Sequence, residues 1–149
     1  MIKKVFSCFA VLLVAAATVV AGDVELEGVK CVVAPRDANP EKSADYKGGK
    51  VYFCCGNCAG KFESDAKKYA TKANHQLVAT KQYEQKVCPF SGGDLNADTA
   101  IKLAGVKVAF CCNNCKGKVE SAEKDAKKIE LVFNDKAFEK GFKKTAKEG

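Results

Sequence analysis

Twice along the chain, a stretch with strand-like patterning is followed by a stretch with helical patterning. In the first copy, residues 43–46 form a short predicted strand, the glycine pair at 48–49 signals a tight turn, and the β-prone run 50–53 follows. The second copy repeats this order over residues 100–110, with its turn at Gly105. Each copy therefore predicts a β-hairpin whose turn lies at the glycines.

After each hairpin, the apolar residues recur with the 3.6-residue period of an amphipathic helix. The predicted helical faces carry Cys58, Phe62, Ala66 and Tyr69 in the first copy, and Cys115, Val119, Ala122, Ala126 and Ile129 in the second. Asn57 and Asn114 are the predicted N-caps of these helices. The pattern favours a small α+β fold in which a β-hairpin followed by a helix occurs twice.

The segments around the two copies carry further patterns. Residues 23–30 contain an alternating Val-Glu-Leu-Glu stretch that predicts an edge strand, and residues 78–87 carry a predicted strand between the copies. From Asp135 onward the tail predicts a short helix, in which Phe138 and Phe142 lie four residues apart. We expect these two side chains to dock the tail on the second copy.

The N-terminus has the pattern of a secretory signal peptide. Lys3 and Lys4 precede an apolar run over residues 5–21, which ends in small residues suited to cleavage. We predict that residues 1–21 are a leader of bacterial type, that the mature protein reaches the periplasm, the cell surface or the medium, and that it has no membrane attachment after cleavage. An uncleaved membrane anchor is the alternative, because the run is near the short end of what spans a bilayer.

A fixed offset of 57 residues relates the two copies. It aligns Cys31, Cys54, Cys55 and Cys58 with Cys88, Cys111, Cys112 and Cys115. Further on, Asp65-Ala66-Lys67-Lys68 recurs as Asp125-Ala126-Lys127-Lys128, at an offset of 60. The second copy therefore has three additional residues before Asp125. This internal duplication predicts two modules, residues 22–80 and 81–149, the second of which carries the C-terminal helix. Modules this small often need disulfides or a structural metal ion.

Each copy places three thiols where a soft metal ion needs them. Cys54 and Cys58 lie at the predicted corner between hairpin and helix, where free N–H groups and the helix dipole stabilise a negative sulfur. Cys31 reaches this corner from the preceding loop. The spacing Cys-x22-Cys-x3-Cys occurs in both copies, so we predict one ion per module. The predicted ligands are Cys31, Cys54 and Cys58 in the first module and Cys88, Cys111 and Cys115 in the second.

An additional thiol directly follows the second ligand of each set. Cys55 follows Cys54, and Cys112 follows Cys111. Two adjacent cysteines near a helix start sometimes face the same ion, whereas in other proteins one of them turns into the core. Cys55 and Cys112 are therefore candidate fourth ligands, and both roles stay open.

The repeated unit resembles the TRASH/YHS family of small metal-binding modules. The resemblance rests on the cysteine spacing, on residues 46–53 before the second cysteine, on residues 60–62 after the third, and on the Cys-Pro-x-x-Gly turn at residues 88–92. It implies two tandem treble-clef-like zinc-finger modules. It also implies the handling of copper, zinc or mercury, as in heavy-metal sensors, transporters and accessory proteins.

Two features depart from the family pattern. Relatives with four ligands open with Cys-x2-Cys, but Ala34 and Ser91 occupy the second of these positions here. The first copy also has Val32-Val33 where the second has Pro89-Phe90. Three thiolates suit trigonal copper(I) or another soft heavy ion, whereas four suit tetrahedral zinc, so the choice of metal stays open.

Two other uses of the thiols are consistent with the sequence. Export to an oxidising compartment would allow Cys31–Cys58 and Cys88–Cys115 disulfides to stabilise a binding module that holds no metal. Alternatively, the Cys-x2-Cys pairs at residues 55–58 and 112–115 would act as redox-active dithiols. No alternating β/α pattern of a thioredoxin-like domain accompanies them.

Charge and composition narrow the choice of function. The chain carries 25 basic and 18 acidic residues, a net charge of +7, and its lysines alternate with acids at helical spacing. This pattern indicates solvated helix faces and no nucleic-acid binding. A single histidine, His75, and no catalytic Ser-His-Asp set or phosphate-binding glycine loop predict a protein that is not an enzyme. We expect it to bind metal ions as a buffer, scavenger or donor, with a metal-handling protein as a further partner.

Overall fold

A computed structural model of the chain describes residues 24–146 as a mixed α+β fold of five helices and three two-stranded antiparallel sheets. The predicted signal peptide, residues 1–21, lies outside the described residues. Within residues 24–146, no helix has both the length and the apolar character needed to cross a bilayer.

The elements follow the predicted order of hairpin and helix in both copies. They are β1 (Asn39–Tyr46), β2 (Gly49–Phe53), α1 (Gly56–Ser64), α2 (Ala66–Ala79), β3 (Tyr83–Gln85), β4 (Asn96–Leu103), β5 (Val106–Phe110), α3 (Asn113–Glu120), α4 (Asp125–Phe133), α5 (Asp135–Gly141) and β6 (Phe142–Lys144). β1 pairs with β2, β4 with β5, and β3 with β6. The sequence therefore predicted both hairpins and the helices that follow them.

In the first copy, the hairpin turn lies one residue earlier than predicted. Lys47 and Gly48 have φ values of 49° and 75°, and Gly49 pairs with Tyr46 as part of the strand. In the second copy, Ala104 and Gly105 have φ values of 44° and 88°. Two-residue turns with positive φ at both positions match the right-handed twist of the strands. Glycine removes the steric cost at the second position of each turn.

The long helix predicted after each hairpin is broken into two. Asp65 separates α1 from α2, and its carboxylate accepts a hydrogen bond from the Lys68 N–H, so it caps the second helix. Residues 121–124 separate α3 from α4, and this is where the three inserted residues lie. The predicted N-caps are wrong, because Cys55 and Cys112 occupy the N-cap positions of α1 and α3.

Outside the repeats, one predicted strand is wrong and one is confirmed. The described part of this predicted strand, residues 24–30, contains no strand, since a turn with φ 72° at Gly28 precedes an isolated bridge between Lys30 and Asp37. β3 lies within the predicted linker strand, residues 78–87. The predicted tail helix is α5, and Phe142 begins β6 immediately after it.

The two copies share one hydrophobic core. Helix α2 of the first copy packs against α4 and α5, and buried residues of both copies belong to a single contact cluster. Phe142 lies 1% exposed in this core, with its ring centroid 5.3 Å from that of Phe133 and 5.4 Å from that of Phe138. The two copies therefore pack against each other instead of standing apart on a linker.

The C-terminal tail connects both copies by polar contacts as well. β6 pairs with β3 in the linker, so the last described strand closes back on the middle of the chain. The Lys47 ammonium, at the first hairpin turn, lies 2.9 Å from carboxylate oxygens of both Asp135 and Glu139. The same ammonium lies 5.5 Å from the centre of the Phe138 ring.

Three glutamine side chains cover the outer edges of β2 and β5. The Gln76 amide bonds both the N–H and the carbonyl of Tyr52, at 2.6 and 3.0 Å. Gln82 does the same for Lys50, at 2.7 Å for both bonds. Gln85 does so for Ala109, at 2.9 and 2.7 Å. Each amide supplies one acceptor and two donors, and so satisfies backbone groups that a two-stranded sheet leaves unpaired.

His75 joins the first copy to the second hairpin. Its burial should make the folded chain less stable at acidic pH. Its Nε2 lies 3.2 Å from the Leu103 carbonyl, and its ring packs edge-on against Phe133. Burial lowers the pKa of His75 below 6.5, although carbonyls of Leu103 and Ala104 partly oppose the shift. Above pH 6.5 both folded and unfolded chains hold the neutral ring. Below it, the unfolded chain binds the proton first, so stability decreases.

We expect the free energy of unfolding of the wild type to fall relative to that of His75→Gln as the pH drops below 6.5. Urea denaturation of both proteins at a series of pH values measures this difference. Both proteins are measured in the same buffers with the same reducing agent. The contribution of the thiols to the pH dependence therefore cancels in the difference between their unfolding free energies. Parallel pH profiles for the two proteins would show that His75 does not titrate as the structure implies.

Candidate metal centres

Each copy brings three cysteine sulfurs into one cluster. Within the described residues, the sulfurs of Cys31, Cys54 and Cys58 all lie within 4.8 Å of one another, and those of Cys88, Cys111 and Cys115 form an equivalent group. The Sγ–Sγ distance is 3.6 Å between Cys54 and Cys58 and 3.7 Å between Cys111 and Cys115. Sulfurs bonded tetrahedrally to zinc at about 2.3 Å lie about 3.8 Å apart, so both clusters have dimensions suited to a metal ion.

The backbone positions these sulfurs from two directions. Cys31 and Cys88 belong to tight loops in which their own N–H groups donate to the carbonyls of Arg36 and Gly93, at 2.8 and 2.9 Å. Cys54 follows directly on β2, and Cys58 lies in the first turn of α1. A loop and a hairpin-to-helix corner therefore converge on one point, as the sequence predicted.

The clusters are closed on one side and open on the other. Cys31 and Cys88 are 4% and 0% exposed, whereas Cys54 and Cys111 are partly exposed. The phenylalanines that end β2 and β5 are fully buried beside the clusters. Each cluster therefore combines a buried sulfur beside the hydrophobic core with at least one sulfur on a partly exposed residue.

Cys55 and Cys112 lie outside the inner groups of three. Both are exposed, and neither belongs to the sets of sulfurs within 4.8 Å of one another. They nevertheless lie close to their neighbours, with Sγ–Sγ distances of 3.9 Å from Cys55 to Cys54 and 3.6 Å from Cys112 to Cys111. Neither turns into the core.

The thiols of each cluster differ in acidity. Burial raises the pKa of Cys88, but hydrogen bonds from the Ser91 hydroxyl and from backbone N–H groups outweigh it and lower that pKa to about 6. At Cys31 burial again opposes ionisation, and N–H groups of Cys54, Ala34 and Val33 lower the pKa. Burial and the neighbouring thiols raise the pKa of Cys58 and Cys115 to about 12. With a pKa of about 6, Cys88 is mostly a thiolate at neutral pH, whereas Cys115 keeps its proton until a metal ion displaces it.

The pKa values of the N-cap thiols are lowered as well. N–H groups of the first turn of α1, that of Cys58 foremost, lower the pKa of Cys55. The Cys115 N–H has the same effect on the pKa of Cys112 in α3. This is the expected influence of a helix N-terminus on a thiol.

The second cluster has a hydroxyl that the first lacks. The Ser91 hydroxyl lies 3.1 Å from the Cys111 sulfur, and the Gly93 N–H donates to the Ser91 oxygen and fixes its position. The equivalent position in the first copy is Ala34. A donor to a ligating sulfur orients the ligand and stabilises its negative charge.

Ser91→Ala should therefore weaken the second site by roughly tenfold in metal dissociation constant, at the low end of the usual effect of such outer partners. Competition with a chelator of known affinity measures the change in a Cys54→Ser background, where only the second site is complete. The reciprocal variant, Ala34→Ser in a Cys111→Ser background, should tighten the first site. Equal dissociation constants for Ser91→Ala and its parent would contradict the role given to Ser91.

No disulfide is present among the eight cysteines of residues 24–146. The four cysteines of the two predicted disulfides are all free thiols. The geometry therefore gives no support to the predicted alternative in which disulfides join Cys31 to Cys58 and Cys88 to Cys115.

Sequence reasoning missed the residues that support the clusters. Ser91 drew attention only as a position where relatives have cysteine, and its bond to Cys111 depends on the loop conformation. Gln76 bonds the carbonyl of Lys30 at 2.8 Å in addition to Tyr52, so it ties the Cys31 loop to β2. A polar residue at a buried helical position was the signal that could have identified it.

Comparisons of the chain with protein-family models, with curated proteins and with solved structures gave no match. The assignment of a function therefore rests on the cysteine clusters themselves.

Proposed function

We propose that this protein binds soft or transition metal ions through two cysteine-thiolate sites, one per module, and serves as a metal buffer, scavenger or donor. The observation that carries the proposal is the convergence of three sulfurs in each copy, within 4.8 Å of one another and without disulfides. Clusters of thiolates contributed by separate chain segments are typical of zinc and copper(I) sites. Its function would then be binding and not turnover.

The ligands in this proposal are Cys31, Cys54 and Cys58 in one site and Cys88, Cys111 and Cys115 in the other. Three thiolates favour copper(I) or another soft ion in trigonal geometry, and zinc would complete its tetrahedron with a fourth ligand. The short helix that starts at each cluster agrees with a treble-clef-like module of the TRASH/YHS type.

The place of action belongs to the same proposal. The N-terminal pattern supports export of the mature chain to the periplasm or medium of a bacterium, where the sites would hold metal ions outside the cytoplasm. A metal-handling protein would be the natural donor or acceptor of these ions. Two sites per chain double the capacity for metal.

Native mass spectrometry of the mature protein, purified from an export-competent host without added metal, tests the proposal. We expect two bound ions of one element and, after chelation and denaturation, eight reactive thiols. This result would also name the metal. A protein without metal whose mass is lower by eight hydrogens would refute the proposal and favour a disulfide-stabilised binding module.

A further inference from the structure

A fourth sulfur, on an exposed residue, lies next to each cluster of three. Cys55 and Cys112 are exposed, they lie outside the inner groups, and they have the same position in both copies. Their surroundings are open as well. A Cβ added at Gly56 would meet no atom within 4 Å, and the equivalent Asn113 is exposed. A small molecule or a partner's side chain can therefore approach these two sulfurs.

One ligand of each inner site lies between the inner and outer sulfurs. The Cys54 sulfur is 3.6 Å from that of Cys58 and 3.9 Å from that of Cys55. In the second copy, the Cys111 sulfur is 3.7 Å from that of Cys115 and 3.6 Å from that of Cys112. All four distances lie near the separation of about 3.8 Å expected for two sulfurs on one zinc ion. An ion can thus bind on either side of the shared sulfur.

The innermost ligands cannot receive an ion directly from a donor. Cys31 and Cys88 are almost fully buried, at 4% and 0% exposure, so a donor's ligand has no access to them. An ion that reaches the inner site must first be bound by sulfurs nearer the surface. The exposed thiol and the partly exposed shared thiol form the most accessible adjacent pair, since Cys115 is buried and Cys58 is only partly exposed.

Given the proposed metal-binding function, we propose that Cys55 and Cys112 are transfer ligands and not resident ones. The ion first binds the Cys54–Cys55 pair or the Cys111–Cys112 pair. Its bonds to the donor's ligands break as the two sulfur bonds form, and any proton on these two thiols passes to solvent. It then moves to the inner three sulfurs while it stays bonded to Cys54 or Cys111. As a bond from the ion to an inner sulfur forms, that thiol releases its proton to solvent. The bond to the outer sulfur breaks, and the outer thiolate takes up a proton. No electrons are transferred, and delivery to an acceptor reverses the steps.

The double variant Cys55→Ser, Cys112→Ser separates a transfer role from a resident one. Zinc(II) is supplied as its complex with a chromophoric chelator to the reduced protein, and the experiment is repeated with copper(I). Stopped-flow absorbance gives the rate of uptake, and equilibrium titration gives stoichiometry and affinity. Asn57→Ser, Asn114→Ser is the matched control, because it places the same new side chain in the same helical turns.

We expect the cysteine double variant to bind two ions with the affinity of the wild type. Its uptake should be at least about tenfold slower, a barrier change of about 1.4 kcal/mol. The asparagine control should match the wild type in both measurements.

Three outcomes would overturn the inference. An unchanged uptake rate would show that the outer thiols take no part in transfer. A large loss of affinity would make them resident fourth ligands. A wild type that binds neither zinc(II) nor copper(I) would refute the proposed function itself, which distinguishes that failure from the first two.

Discussion

Cys111→Ser is expected to empty the second site and leave the first intact, so that the protein binds one ion. A structural zinc site contributes about 10–16 kcal/mol, so each of three or four thiolates accounts for about 3–4 kcal/mol, or two to three orders of magnitude in affinity. The Cys111 sulfur lies next to those of Cys115 and Cys112 and next to the Ser91 hydroxyl, so its loss removes the ligand at the centre of this group. Native mass spectrometry and chelator competition measure the loss.

Cys112→Ser is the matched control for this prediction. It makes the same chemical change one residue later, at an exposed sulfur outside the inner group. It should keep two ions at the affinity of the wild type. If Cys111→Ser retained both ions at full affinity, the assignment of the inner three sulfurs as ligands would be wrong.

Phe142→Ala is expected to cost about 3–5 kcal/mol of unfolding free energy, as is usual when a buried phenylalanine is truncated. The ring is 1% exposed and packs against Phe133 and Phe138. Because the core is continuous through both copies, the loss should destabilise the whole chain. Urea denaturation of the reduced, metal-free protein, followed by circular dichroism and by tyrosine fluorescence, measures it.

Both probes should report one shared transition for the wild type and the variant. Lys143→Ala is the control, since this neighbouring side chain is exposed, and it should change stability by less than about 0.5 kcal/mol. Two separate transitions, or a cost for Phe142→Ala as small as that of the control, would contradict a core shared by the two copies.

The elements around the cysteines could be predicted because local chemistry determines them. The glycines at the turns and the β-prone runs after them specify the hairpins, and the change of period after each cysteine cluster specifies a helix. The convergence of Cys31 with Cys54 and Cys58 followed from the duplicated spacing. These features depend on residues close together in sequence or on a pattern repeated within the chain.

The errors arose where longer-range packing or backbone geometry decides. The break at Asp65 is invisible in the apolar spacing, because Ala66 and Tyr69 continue the same face. Cys55 and Cys112 are the N-caps of α1 and α3, so the asparagines two residues later lie inside the first turn of each helix. The packing of α2 on α4 and α5 joins segments that no local pattern connects.

The glutamine side chains along β2 and β5 have a consequence for the protein at high concentration. An unprotected strand edge offers backbone groups to a strand of another molecule, and such pairing leads to aggregates and fibres. Here Gln76 and Gln82 already occupy these groups on β2, and Gln85 occupies one such position on β5. The two hairpins, which carry thiols at their ends, are thereby hindered from forming strand pairs with hairpins of other molecules. At high concentration, the outer edges of β2 and β5 therefore offer fewer free backbone groups for pairing between molecules.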